Sequence, residues 1–174
     1  MAAPVSEHAP RAVMTTCSLE PTDMRRVLAA FPTGVTAVAA IVDGVPVGIT
    51  ANSFTSVSLE PPIVLISVAH TSTTWPSLRT AARLGISVLS AHQERHGRAL
   101  SARGTDRFAS VGWWVTDDGA VLLEGASAWL ECSIERQIPV GDHDLVLLRV
   151  HALDADASVP PLVFHASRYR ALGT

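Results

Sequence analysis

The feature that most constrains the fold is a series of short apolar segments cut by tight turn signals. Val35 to Val42 is strand-like, Asp43-Gly44 is the residue pair that two-residue hairpins demand, and Val45 to Thr50 returns. Ile63 to Val68, behind Pro61-Pro62, reads as a pure apolar strand, and Gly85 to Leu89 as another. From Ala126 the residues alternate. Ala126, Ala128, Leu130, Cys132 and Ile134 fall on one face; Ser127, Trp129, Glu131, Ser133 and Glu135 fall on the other. That is the pattern of a half-buried antiparallel strand. Gly141-Asp142-His143-Asp144 turns the chain into a strand over Leu145 to Leu153, and Leu162 to Phe164 is a short last one. Strands joined mainly by hairpins predict a mainly β fold, an antiparallel Greek-key-like barrel with a few helices, and not a doubly wound sheet.

The helical signals are fewer. Met24, Val27, Leu28 and Phe31 recur at i, i+3, i+4 and i+7, which predicts an amphipathic helix over 21–30. Pro21 suits its first turn, and Ser18 or Thr22 could cap it. A short helix from Trp75 to Arg83 carries Pro76 in its first turn. Ser90 is placed to cap a helix from Ala91 to Ser101. Residues 102–120, with Gly104, Asp106, Gly112 and Asp117-Asp118-Gly119, read as an irregular loop. The 174 residues suit one domain, over 19–174, behind a flexible arm at 1–18.

Composition removes several classes of function. At 48% hydrophobic and 17% charged the chain is globular. No segment reaches the roughly 18–20 uncharged apolar residues of a membrane span. The first 18 residues lack a continuous apolar core, so no secretory signal is expected, and two cysteines, Cys17 and Cys132, suit a reducing cytoplasm. A net charge of −3 argues against nucleic acid. All 13 basic residues are arginine, which excludes Schiff-base or P-loop lysine chemistry. His92 and His96 sit in HQERH, which lacks the glutamate of a zinc HExxH helix, and they read as a surface helix without metal. Cys132 lies in register with Leu130 and Ile134 and reads as a buried structural thiol.

What remains is a neutral polar surface. Thr50, Asn52, Ser53, Thr55, Ser56 and Ser58 crowd the segment between two apolar strands. They offer hydroxyls, one amide and an approachable backbone without formal charge, which suits a flat hydrogen-bonding ligand; the alternative is a plain loop. Thr71 to Thr74, four hydroxyl residues after His70, precede a helix start, where they would either hold an anion or simply cap the helix. His143 stands in a turn between Asp142 and Asp144, which can orient its ring; the alternative is a turn histidine with no role.

Five pieces in order carry a family resemblance. They are Pro32-Thr33-Gly34-Val35-Thr36; Val47 to Ser58 followed by Pro61-Pro62; Ser87-Val88-Leu89-Ser90 with Gln93; Arg107-Phe108; and Gly141-Asp142-His143 ahead of a strand. Over about residues 20–172 the chain resembles the short flavin reductases of two-component flavin monooxygenases, which have the flavin-binding split-barrel fold. It departs from them at Gly119-Ala120-Val121, where Gly-x-Pro is common, and at Asp144, where threonine is usual.

The resemblance implies a cytoplasmic homodimer that transfers hydride from NADH or NADPH to FAD or FMN and supplies reduced flavin to a partner monooxygenase. No protein residue would act as acid, base or nucleophile, because the cofactors carry the chemistry. It implies that Thr50, Ala51, Asn52 and Ser53 meet the isoalloxazine, and that Ser56, Val57, Ser58, Ser72 and Thr73 meet the ribityl chain and phosphate. His143 would position the nicotinamide nucleotide, with Tyr169 an aromatic near the pocket. Thr33, Gly34, Val35, Ser90, Gln93 and Phe108 complete the expected cofactor-binding set. The alternative is a flavin-binding module that stores or senses flavin without turnover.

Overall fold

The structure is a computed structural model, which describes residues 19–102, 104 and 106–172. The expected N-terminal arm, with Cys17 and Ser18, lies outside the described residues. In chain order the elements are α1 (Pro21–Leu28), β1 (Thr33–Gly34), β2 (Thr36–Val42), β3 (Val45–Ala51), β4 (Thr55–Leu59), β5 (Pro62–Ala69), α2 (Trp75–Leu78) and β6 (Leu84–Val88). They continue with α3 (Glu94–Ser101), β7 (Trp113–Val115), β8 (Val121–Leu123), β9 (Ala128–Val140), β10 (His143–Ala155), β11 (Leu162–His165) and β12 (Arg168–Ala171).

Seven strands form the main sheet in the order β3-β2-β6-β9-β10-β5-β4, every neighbouring pair antiparallel. The sheet curls until its two ends approach. There the Ser53 hydroxyl donates to the Ser67 carbonyl at 3.0 Å and accepts from the Ser67 amide at 2.8 Å. This is the mainly β, antiparallel barrel that the hairpin pattern predicts. Asp43 and Gly44 both take positive φ, 51° and 80°, as the turn joining β2 to β3 requires.

The core lies on both sides of β2, where Thr36 to Ala40 are all buried. Val38 and Ala40 join one cluster with Ile66, Ile86, Cys132 and Leu148. Ala37 and Ala39 join the other with Val35, Leu100, Leu123 and Leu162. Small alanines let one strand be covered on both faces without overpacking. Gly85 in β6 is required for a similar reason: a Cβ there would stand 2.1 Å from the Val121 carbonyl oxygen of β8. Cys132 is buried as expected, and desolvation pushes its thiol up to about 12.

The structure corrects several local expectations. Thr55 to Leu59 is an edge strand, because its backbone pairs with β5, so only 52–54 of the polar segment is loop. Helix α2 ends at Leu78, short of Arg83. Glu20, not Thr22, is the N-cap of α1, and it makes no side-chain cap bond. Ser90 does not cap α3, which starts only at Glu94, and His92 lies ahead of it. Residues 102–120 include strand β7, too short for its period to show. The last strand is β12, which carries Tyr169. Helix α1 has the expected apolar spacing yet buries no residue; Val27 and Leu28 are 58% and 62% exposed.

Candidate functional site

Where the barrel's ends approach, the C-terminal halves of β3 and β5 diverge and leave a cleft of about 280 Å³. Ile49, Thr50 and Ala51 form one wall, and Ser67, Val68 and Ala69 the other. Thr71 to Thr74 close one side, and Leu100, Ser101 and Arg107 another. The Thr50 and Ser101 hydroxyls are hydrogen-bonded to each other, which joins β3 to the end of α3. Ser101 also donates to the Gly97 carbonyl. Among the described residues lining the cleft, Arg107 is the charged one.

Arg107 is fixed by three bonds. Its Nε donates to the Ala102 carbonyl at 2.7 Å, and its Nη1 donates to the Gly48 carbonyl and the Thr74 hydroxyl, both at 2.8 Å. It therefore stitches the 102–108 segment to β3 and to the turn before α2. A second cleft of about 550 Å³ opens on the far side, lined by Val45 to Gly48, Thr74 and Asp106 to Ala109, with Trp113. Thr74 and Arg107 belong to both clefts.

His143 opens β10 directly opposite Ala69, a wall residue of the first cleft. Its Nδ1 lies 2.7 Å from an Asp142 carboxylate oxygen, and that hydrogen bond holds the Asp142 carboxyl below the usual carboxylate range. Asp144, the other flanking acid, pairs instead with His70, Nε2 to Oδ1 at 3.2 Å. Opposed strand residues are neighbours, so His143 stands across β10 from a wall residue of the first cleft, while it belongs to neither lining itself.

Of the residues expected from sequence, Thr50, Ala51, Ser72 and Thr73 line the first cleft, and Phe108 lines the second. Ser53 spends its hydroxyl on Ser67, and Asn52 lies beside it in the same loop. Ser56, Val57 and Ser58 lie on edge strand β4, outside both linings. Ser72 also accepts from the Trp75 amide at 3.2 Å, so it caps α2 while it lines the cleft.

Other expected residues are engaged elsewhere. Thr33 and Gly34 pair with Phe164 and Val163 of β11, and Val35 is fully buried. Ser90 and Gln93 are buried and lock a turn: Gln93 Oε1 accepts from the Ser90 amide, and its Nε2 donates to the Glu124 carbonyl at 2.7 Å. Tyr169 packs on Phe164 and sits under the Arg98 guanidinium, 5.1 Å from its ring centre. None of these lines either cleft. Sequence reasoning missed Ser67, Ser101 and Arg107 as cleft residues. Arg107 was visible as a motif partner of Phe108, whereas nothing local marks Ser101.

No group of three or more histidine, cysteine or acidic residues among the described residues could hold a metal. The lining offers neutral hydroxyls and backbone along the walls and one anchored guanidinium, groups that can hydrogen-bond a flat polar molecule or an anion.

A family model described as flavin reductase like domain matches residues 24–173. A probable flavin reductase of Rhizobium meliloti (strain 1021) is 41% identical over 142 residues, 81% of this chain; the chain spans only 46% of that protein. An NADH:FMN oxidoreductase of Rhodococcus qingshengii is 40% identical over 152 residues, 84% of this chain and 79% of that protein. Among solved structures, the NADH:FAD oxidoreductase SgcE6 of Streptomyces globisporus, in complex with NAD and FAD fragments, superposes with a TM-score of 0.82 at 38% identity, covering 87% of this chain and 92% of that one. With its barrel, its hydroxyl-lined cleft and this match over nearly the whole described chain, the protein belongs to the flavin reductase like domain family.

Proposed function

We propose that the chain is an NAD(P)H:flavin oxidoreductase, which passes hydride from NADH to FAD or FMN and releases reduced flavin to a separate flavin-dependent monooxygenase. The observation that carries this reading is the first cleft, where Thr50 and Ala51 face the Ser72–Thr73 turn and Arg107, with His143 paired opposite the wall residue Ala69. Bound flavin supplies the hydride-accepting chemistry; the chain's residues bind, orient and shield. Thr50 and Ala51 present hydroxyl and backbone groups to the ring system, where fixed donors favour developing negative charge, and Ser53 holds the adjoining loop against Ser67. Ser72, Thr73 and Arg107 take the phosphate. His143, oriented by Asp142, positions the nicotinamide nucleotide so that the two rings stack. A flavin that exchanges as a substrate and leaves when reduced suits this role, because the reduced product must reach a separate oxygenase.

In this reading the protein works as a cytoplasmic homodimer. The exposed Met24, Val27 and Leu28 of α1 and the exposed Val57, Ile138 and Val140 on the outer sheet support pairing, which sedimentation would test. No helix among the described residues is long and apolar enough to cross a membrane.

The test is NADH oxidation by the purified protein with FAD, FMN or no flavin added. Turnover that requires and saturates with added flavin is expected. Flavin binding without turnover would replace this reading with a storage or sensing module. His143→Ala should raise KM for NADH roughly tenfold, the worth of one good hydrogen bond, and leave KM for flavin nearly unchanged. Unchanged nucleotide kinetics would remove His143 from its role.

A further inference from the structure

We propose that a third cleft, at the far end of the β9–β10 pair, binds a small aromatic amine, and that it is separate from the cleft read as the flavin site. The alternation of β9 gives the first hint. Trp129 shares a face of the strand with Glu131, Ser133 and Glu135, so an indole stands in an otherwise polar row. In the fold, Trp129 lies opposite Asp154 of β10, and Glu131 lies opposite Ala152. Trp114 reaches the same place from β7, where it pairs with Leu122 of β8. With Leu153 these residues line a cleft of about 370 Å³, within the usual range for small-molecule sites. The first cleft lies at the other end of β10, where His143 pairs with Ala69. From His143 to Asp154 is about 36 Å of strand.

The lining names the ligand's two halves. Trp129 is fixed, because its Nε1 donates to the Leu123 carbonyl at 2.7 Å. Trp114 leans on it, with ring centroids 5.6 Å apart and planes tilted by 54°. Two indoles with Leu122 and Leu153 form an apolar wall for an aromatic ring. The charged groups are carboxylates: Glu131 and Asp154 line the cleft, and none of its described lining residues is basic. The Glu131 side chain is only 14% exposed, and Arg83 beside it is shared between Glu131 at 3.3 Å and Asp118 at 3.5 Å. One guanidinium among three carboxylates leaves the region negative. One Asp154 oxygen accepts from the Ala155 amide at 2.8 Å, and the other has no protein partner among the described residues. An ammonium group would be drawn to these acids and to the indole faces, which attract cations, whereas a carboxylate or phosphate would be repelled. The occupant is therefore a flat apolar body carrying a positive charge. This inference stands on the third cleft alone and does not depend on the flavin reading.

The experiment titrates the full chain with phenethylamine and with 3-phenylpropionate, which pairs a similar ring with the opposite charge. Calorimetry and tryptophan fluorescence read the binding. Phenethylamine is expected to saturate with a Kd of about 1 mM or below and to quench fluorescence, and phenylpropionate to bind at least about tenfold more weakly. Trp114→Ala should weaken the amine about tenfold. Leu153→Arg is the second variant: Leu153 is 72% exposed, so the change spares the core, and it sets a cation against the incoming ammonium. It should abolish amine binding and leave flavin reduction within about twofold of the parent, the distance along β10 being large. Failure of phenethylamine to saturate at about ten times that Kd, or equal affinity for amine and carboxylate, would overturn the inference. So would amine binding that survives both variants. A self-association lost in Leu153→Arg, without amine binding in the parent, would make this face a contact between copies of the chain and overturn it too.

Discussion

Removing the Arg107 side chain should damage stability and flavin binding together. In Arg107→Ala three hydrogen bonds are lost, two to backbone carbonyls and one to the Thr74 hydroxyl. A bond from a charged donor contributes about 1.5–3 kcal/mol, so a plain sum overstates the loss. Arg107 is only half-buried, and water can enter the truncated site and satisfy the Ala102 and Gly48 carbonyls. The net cost should be about 2–4 kcal/mol. With a urea dependence near 2 kcal/mol per M, the unfolding midpoint falls by about 1–2 M. Arg107→Lys keeps the charge but replaces a planar fork by one ammonium, which cannot reach all three acceptors in their present directions. It should recover less than half of that loss. Urea unfolding followed by tryptophan fluorescence measures both variants, and calorimetry measures FMN binding, which should weaken by an order of magnitude in Arg107→Ala. A midpoint within about 0.3 M of the parent, well inside the stated cost, would refute the claim that Arg107 ties its segment to β3 and to the turn before α2. So would full recovery by lysine.

Two further outcomes follow from other parts of the fold. Gly85→Ala should cost more than about 3 kcal/mol or prevent soluble expression, because the new methyl meets the Val121 backbone and not a side chain that can swing away; a variant with parental stability would show that β6 and β8 are not packed this closely. In a Cys17→Ser background, Cys132 should resist a thiol reagent in the native protein and react fully after unfolding. Its folded pKa, about 12, lies above the unfolded value of 9.0, so its contribution to stability is complete below pH 9 and is lost as pH rises toward 12. Rapid native labelling at neutral pH would contradict its burial.

The sequence carries enough information for elements whose cause is local. The β2–β3 hairpin is legible because Asp43-Gly44 can take two positive φ values cheaply. The alternation around Cys132 announces a strand with one face in the core, and the ordered motifs around Val47–Ser58 and Gly141-Asp142-His143 announce the family. Local signals fail where a partner elsewhere in the chain decides. Ser90 looks like a helix cap, yet the Gln93 side chain turns back onto the Ser90 amide and out to Glu124, a residue 31 positions away, and the helix starts later. Thr55 to Leu59 looks like loop because hydroxyl residues favour turns, but an edge position against β5 makes it a strand. Helix α1 shows an apolar stripe yet has no buried residue.

The candidate site divides in the same way. Sequence alone pointed to a neutral, hydroxyl-rich candidate surface around Thr50 and Ser72, and both residues line the first cleft. Only the tertiary structure decided that Ser101 bonds Thr50 from the end of α3, that His143 arrives opposite Ala69, and that Arg107 closes one cleft and opens the next. Each of these contacts joins residues more than 30 positions apart. Such contacts arise from the curl and register of the sheet, which depend on the packing of the whole core and leave no local signature in the sequence.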